Sequence, residues 1–254
     1  MKILQKVKTI KTTLAAALCS LLMIACGNPG QVDNQLTRNE KKAGWQLLFD
    51  GKTMNNWQLI YQNEPLPVSR WHVADGCLIV EKLLDRKTNG RDLITVKEYS
   101  DFDFMFDFKL TTDANSGIKY FVVEAIGNPQ SGGGYGPEYQ IIDDNLDYLK
   151  SPNVAPGSTM ASLYVMIEAP NTKKVNPVGE WNTGRIVSKN RRIEHWLNGE
   201  LMFSYVFGGD EYKAMVEKTH FRDVKGYGEK SKGHILLQDH GDKVWFKNIK
   251  IKEL

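Results

Sequence analysis

The stretch Asp101-Phe102-Asp103-Phe104-Met105-Phe106-Asp107-Phe108-Lys109-Leu110 decides the fold class. Its large apolar residues fall on every second position, with Asp, Met and Lys between them. Side chains of a strand alternate between its two faces, so this is a β-strand that sends its phenylalanines into a core and its charges outward.

Outward from it, similar short strands are expected at Trp45 to Leu48, Trp71 to Val73, Cys77 to Glu81, Gly117 to Glu124, Glu138 to Ile142 and Leu163 to Ile167. Others are expected at Trp181 to Ser188, Arg192 to Leu197, Leu201 to Val206, His234 to Gln238 and Val244 to Ile251. Asp75-Gly76, Asn89-Gly90 and Asn198-Gly199 are hairpin dipeptides, because both central positions of a tight β-turn need positive φ. Hairpins imply antiparallel pairing. Only Asp210 to His220 spaces its apolar residues (Tyr212, Met215, Val216) for a helix face. The expectation is an all-β sandwich or jelly roll with one short helix.

The first 25 residues hold Lys2, Lys6, Lys8 and Lys11, then an apolar run to Ala25 that is too short for a comfortable membrane span. Leu22-Met23-Ile24-Ala25-Cys26 resembles a lipobox, which makes 1–25 a signal peptide and Cys26 the acylated first residue of the mature chain. Acylation anchors a domain without burying it, so the expected location is the bacterial cell envelope, on its periplasmic or surface face, with membrane contact through the lipid alone. Residues 26–43 are polar and read as a flexible tether, and 44–254 as one domain. With Cys19 in the leader and Cys26 acylated, Cys77 has no intrachain partner, and the fold must stand on its core.

Of the 33 basic residues four lie in the leader, so 29 face 30 acidic ones in the rest of the chain. Such a balance lacks the footprint of a nucleic-acid binder. No G-x-S-x-G elbow, H-E-x-x-H helix or paired C-x-x-C is present. Asp143-Asp144-Asn145-Leu146-Asp147 is not an EF-hand, because Tyr148 and Val154 stand where the turn glycine and the bidentate Glu belong. Ser131-Gly132-Gly133-Gly134-Tyr135-Gly136 lacks the Lys-Ser/Thr of a phosphate loop and reads as a mobile loop beside a site.

Parity gathers the polar groups. Glu138 and Gln140 share one strand face, as do His234, Leu236, Gln238 and, if the strand persists, His240. Joined by Asn115 and Lys119, they form a surface richer in hydrogen-bonding groups than packing needs, which suits a sugar. His195 falls on the apolar face of its strand, where a hydrogen-bonded core histidine and a catalytic one are equally open readings; the tryptophans read as core.

A family resemblance runs through the same residues. Gly44-Trp45-Gln46-Leu47-Leu48-Phe49-Asp50-Gly51-Lys52-Thr53 with Trp57, then Asn115-Ser116-Gly117-Ile118, Gly136-Pro137-Glu138-Tyr139-Gln140-Ile141-Ile142-Asp143 and Gly179-Glu180-Trp181-Asn182 resemble 3-keto-disaccharide hydrolase domains. So do Ile193 to Gly199, Gly233 to Gly241 and Val244 to Ile249, while Ala161-Ser162-Leu163-Tyr164 departs from the family's Gly-Ala before Leu-Tyr.

The resemblance implies a concanavalin A-like jelly roll acting on glycosides whose glucose unit carries a ketone at C3. Such a ketone acidifies the C2 proton. A base removes it, the C1 substituent leaves from the enolate, and water adds back. Glu138 or His240 is the expected base, His195 or His240 the acid, and Lys119 with Gln140 and Gln238 the groups that stabilise oxygen. Asn115, Asp143, Tyr164, Trp181 and Asn182 are expected substrate contacts. A divalent metal could take the electrophilic role of Lys119, although no ligand spacing calls for one. The rival readings are a noncatalytic carbohydrate-binding module and a structural surface lipoprotein, since a jelly roll hosts binding as readily as catalysis.

Overall fold

The computed structural model describes residues 32–62, 69–83, 90–127 and 133–254. The leader, Cys26, Asn89 and Ser131-Gly132 lie outside them. In chain order the strands are β1 (Gln46–Leu47), β2 (Trp57–Leu59), β3 (Trp71–Ala74), β4 (Cys77–Val80), β5 (Leu93–Thr95), β6 (Phe102–Leu110) and β7 (Asn115–Val122). They continue as β8 (Glu138–Ile142), β9 (Asn182–Lys189), β10 (Arg192–Leu197), β11 (Glu200–Val206), β12 (His234–Leu237) and β13 (Val244–Glu253).

Two antiparallel sheets form a concanavalin A-like jelly roll. An eight-stranded sheet runs β11-β10-β9-β6-β13-β4-β3, with β1 also on β13, and a five-stranded sheet runs β2-β5-β12-β7-β8. The alternation of β6 acts as expected: Phe102, Phe104, Phe106 and Phe108 are fully buried between the sheets. Phe106 meets Tyr139 of β8 edge to face at 5.5 Å, which ties the two layers together. Gly184 lies opposite Phe106 in the register of β6 and β9 because a Cβ there would stand 2.3 Å from the ring.

The turn dipeptides also act as read. Asp75-Gly76 joins β3 to β4 and Asn198-Gly199 joins β10 to β11, each with positive φ at both residues. A third turn of this kind, Asn190-Arg191 between β9 and β10, has φ of 49° and 65° and carries no glycine to announce it. Expected strand Leu163 to Ile167 is instead a tight turn closed by reciprocal Leu163 and Ile167 backbone bonds, with Val165 at φ 55°. Cys77 is free and buried.

Residues 32–43, expected to belong to a tether, pack with the domain. From Val32 the chain belongs to the compact domain. Asn34 exchanges backbone-to-side-chain hydrogen bonds with Asn248, at 2.6 and 2.9 Å, where β13 bulges and Asn248 takes φ 52°. Residues Arg38–Lys42 form helix α1, held by a capping box in which Thr37 and Glu40 each bond the other's backbone N–H. The Thr-x-x-Glu spacing was legible, but no apolar run follows it to mark a helix. The second helix, α2 (Asp210–Val216), occupies the first part of the expected helical stretch. Among the described residues no helix is long and apolar enough to cross a membrane.

Candidate active site

The outer face of the five-stranded sheet, turned away from the core, collects the polar groups. On β7 the residues Asn115, Gly117 and Lys119 point outward opposite Ile142, Gln140 and Glu138 of β8, and Gln238 follows β12 with its N–H on the Gly117 carbonyl at 2.9 Å. Gln140 donates to the Asn115 side chain at 3.4 Å. Beyond β8 a short edge made by Ala161 to Tyr164 pairs with it, and Tyr164 N–H donates to the Glu138 carbonyl at 3.0 Å, which seats Tyr164 beside Glu138.

Glu138 is the centre. It is only 5% exposed, its carboxylate lies over Gly117, and Lys119 Nζ stands 3.9 Å from Oε2. Burial pushes its carboxyl up to about 7; the Lys119 charge acts against that shift and the Asp92 charge adds to it. Lys119 also donates to the Gly134 carbonyl at 3.0 Å, which holds the described part of the glycine-rich segment over the site. Asp92, before β5, is fully buried, accepts N–H bonds from Asp239 (2.8 Å) and Gly134 (3.3 Å), and is pushed up to about 6 by burial against the pull of Lys119.

Gln238 Oε1 is buried with no donor among the described residues. An unpaired buried acceptor costs about 1–3 kcal/mol unless a ligand supplies the donor, and a sugar hydroxyl has one to give. Beside these groups Ile60, Ile94, Val122 and Leu236 make a small apolar floor on which Gly134 rests. His240 lies exposed on the loop two residues beyond Gln238. The site thus gathers a carboxyl pushed up to about 7, an ammonium beside it and amides around them, with the Gly134 segment packed on an apolar floor at its side.

Four expected site residues lie elsewhere. His195 is in the core of the sandwich. Its Nδ1 lies 3.1 Å from the Ala161 carbonyl, which can only accept, so Nδ1 carries the proton and Nε2 accepts from Tyr120 Oη at 2.9 Å. Burial holds its pKa down to about 3, so the ring is neutral and the catalytic-acid reading gives way to the core reading. Asp143 spends its carboxylate on the N–H groups of Asp113 and Asn145 and on the Asn145 amide, all at 3.0 Å, and so braces its own loop. Asn182 is buried and bonded to Asn176 and Asn198. Trp181 lies on the outer face of the other sheet under Lys109 and Lys247. Of the tryptophans, Trp57 and Trp71 are core as expected, whereas Trp45, Trp181, Trp196 and Trp245 are stacked against cations on that same outer face.

Asp92 was missed. It sits in Arg91-Asp92-Leu93 without periodicity, and its burial comes from the Gly134 segment and the Asp239 turn, both remote in sequence. Among the described residues no cluster of three or more His, Cys, Asp or Glu side chains is placed to hold a metal.

His195→Phe is expected to destabilise the fold by about 2–3 kcal/mol, because the Ala161 carbonyl loses its donor. The neutral histidine of the native state binds fewer protons than the unfolded chain between pH 3 and 6.5, so its contribution is present above 6.5 and lost at up to about 1.4 kcal/mol per pH unit as pH falls. Urea titrations at pH 5 and 8 should show the parent losing about 2 kcal/mol relative to the variant on going from pH 8 to 5. An unchanged melting temperature with a collapse of turnover would return His195 to the chemistry.

A jelly roll with a protonatable carboxyl and hydrogen-bonding side chains gathered on one sheet face is a scaffold chemically suited to carbohydrate. A candidate glycosyl hydrolase of Parabacteroides distasonis has this fold, with 35% sequence identity and a TM-score of 0.75 over 88% of the present chain and 100% of its own. A second from that organism is 27% identical, with a TM-score of 0.60 over 83% and 99%. Residues 44–252 match the 3-keto-alpha-glucoside-1,2-lyase-like domain, and the chain belongs to that family. It is also 30% identical, over 83% of its length, to 79% of a 3-keto-disaccharide hydrolase of Bacteroides thetaiotaomicron.

Proposed function

We propose that the protein cleaves glycosides whose glucose unit carries a ketone at C3, by elimination and rehydration, from the cell envelope to which acylated Cys26 anchors it. The observation that carries this reading is Glu138, a buried carboxyl pushed up to about 7 with Lys119 Nζ 3.9 Å away. A carboxyl in that range is a competent base at neutral pH and a competent acid once it holds the proton.

Glu138 takes the C2 proton. The electrons of that C–H bond form C2=C3, and the ketone oxygen becomes an enolate oxygen beside the Lys119 ammonium. Collapse of the enolate reforms the ketone, makes C1=C2 and breaks the C1–O bond, while the leaving oxygen takes a proton from His240 or from protonated Glu138. Water then adds at C1 and a proton returns to C2, which completes net hydrolysis. Gln238, Gln140, Asn115 and Tyr164 receive the sugar hydroxyls.

The test is release of a chromogenic leaving group from a 3-keto-glucoside and from the unoxidised glucoside, with and without chelator. Cleavage of the keto compound alone supports elimination. Chelator sensitivity moves the electrophilic role from Lys119 to a metal, and binding without cleavage of either compound makes the domain a binding module. Lys119→Met is expected to lower kcat/KM about 100- to 1,000-fold. It should also move the acid limb of the pH profile above 7, because Lys119 is the group that holds Glu138 down. A limb that stays in place would remove Glu138 as the base.

A further inference from the structure

The outer face of the eight-stranded sheet carries a second chemistry that the proposed reaction does not use. There Lys109 Nζ stands 5.0 Å from the ring centre of Trp181 and 4.6 Å from that of Trp245, Lys247 lies 4.4 Å over Trp181, and Lys243 5.1 Å over Trp245. Lys82, Lys109, Lys243, Val178 and Trp245 line an open depression of about 570 Å³. Lys243 is paired with Glu81 at 2.8 Å, whereas Lys82 and Lys109 have no carboxylate partner among the described residues. Val178, on the rim, is 37% exposed.

The chain also leaves the domain on this face. Asp33 pairs with Lys247 at 2.7 Å and Asn34 is bonded to Asn248, so Val32 lies next to the Trp181 and Lys247 stack. Cys26 precedes Val32 by six residues, a span of at most about 20 Å of chain.

We propose that this face is where the domain meets an anionic phospholipid surface. Trp181, Trp245 and Val178 lie at headgroup level, where tryptophan is favoured, and Lys82 and Lys109 reach phosphates while their stems cover the rings. Each lysine near an anionic surface strengthens binding about fivefold, and the short link from Cys26 keeps the face at high effective concentration beside the bilayer. The Glu138 site, on the opposite side of the sandwich, is then turned to solvent. The inference stands apart from the reaction proposed for that site.

The chain from Gly27 onward contains the whole compact unit Val32–Leu254 and has no acyl group, so it isolates the contribution of the face. It should sediment with vesicles of equal parts phosphatidylethanolamine and phosphatidylglycerol, lose that binding in high salt, and ignore phosphatidylcholine. Lys82→Glu with Lys109→Glu should weaken binding about tenfold or more. Lys213→Glu, on exposed α2, changes the bulk charge without touching the face and should leave it alone. Brominated lipid chains should quench tryptophan fluorescence of the unmodified chain, and less so in Trp181→Phe, which covers the case of a misfolded double variant. Equal binding to phosphatidylcholine, equal weakening by Lys213→Glu, or no quenching would overturn the proposal. Displacement by millimolar inorganic phosphate would replace it with a small-anion site.

Discussion

Glu138→Gln is expected to lower kcat/KM for a 3-keto-glucoside by about three to four orders of magnitude and, at the same time, to stabilise the fold at pH 8. The amide keeps the size of the carboxylate and removes its ability to take the C2 proton. The stability gain follows from the direction of the shift. A carboxyl whose native pKa lies near 7 rather than at the ordinary 4.5 binds more protons in the native state than in the unfolded chain across that interval. Native stability therefore falls as pH rises from about 4.5 to 7 and stays reduced above it, by at most ~3 kcal/mol. Asp92, pushed up to about 6, acts in the same direction and is untouched by the variant. Urea titrations at pH 5 and 8, beside the rate measurement, check both parts. A variant that is inactive and also less stable at pH 8 would make Glu138 a structural residue, whereas one that keeps a tenth of the parental rate would move the base elsewhere, with His240 next in line.

Gly117→Ala should lower turnover about 100-fold or more while leaving the fold in place. A Cβ on Gly117 would stand 2.1 Å from Glu138 Oε1, and its other near neighbours are the Cδ and Cγ of the same side chain. The backbone of Gly117 has no positive φ that alanine would strain. The methyl is accommodated by rotation of the Glu138 side chain, which takes the carboxyl away from Lys119 and from the position of the substrate. The expected result is a loss of about 100-fold or more in kcat, since small misplacement of a reacting group has effects of that size. Unfolding free energy should change by less than about 1 kcal/mol. A crystal structure of the variant with Glu138 unmoved, or a variant with full activity, would show that the contact with Gly117 does not set the geometry of the site.

Both variants concern a surface that was largely legible before any coordinates, because a strand fixes direction by counting. Once Glu138 to Ile142 was read as a strand, Glu138 and Gln140 had to share a face, and the register with β7 brings Lys119 and Asn115 to them. The same counting placed the phenylalanines of β6 in the core. It also placed His195 among apolar neighbours, which left core and catalytic roles equally open, and the bonds to Ala161 and Tyr120 favour the core role.

What counting could not supply was contact between segments far apart in sequence. Asp92 joins the candidate site only because Gly134 and Asp239 close over it. Trp181 and Asn182 fall within a block that resembles the family, but β9 belongs to the other sheet: Trp181 lies on its outer face and Asn182 is buried against Asn176 and Asn198. Residues 32–43 looked like a linker because their anchoring is polar: Asn34 on Asn248, and Glu40 on Thr37 and Lys250, leave no apolar periodicity to read.

The position of β13 bears on how the chain comes to be folded at all. The last ten-residue strand lies between β6 and β4 at the middle of the larger sheet and also carries β1. As the chain emerges during synthesis, β11-β10-β9-β6 and the β3-β4 hairpin can form as separate pieces, but nothing in the sheet order joins them until β13 has emerged. Pairings of such long sequence separation form late and slowly. The polypeptide is thereby kept from completing its core until β13 has been made, and loss of that strand would leave two unjoined half-sheets with open edges.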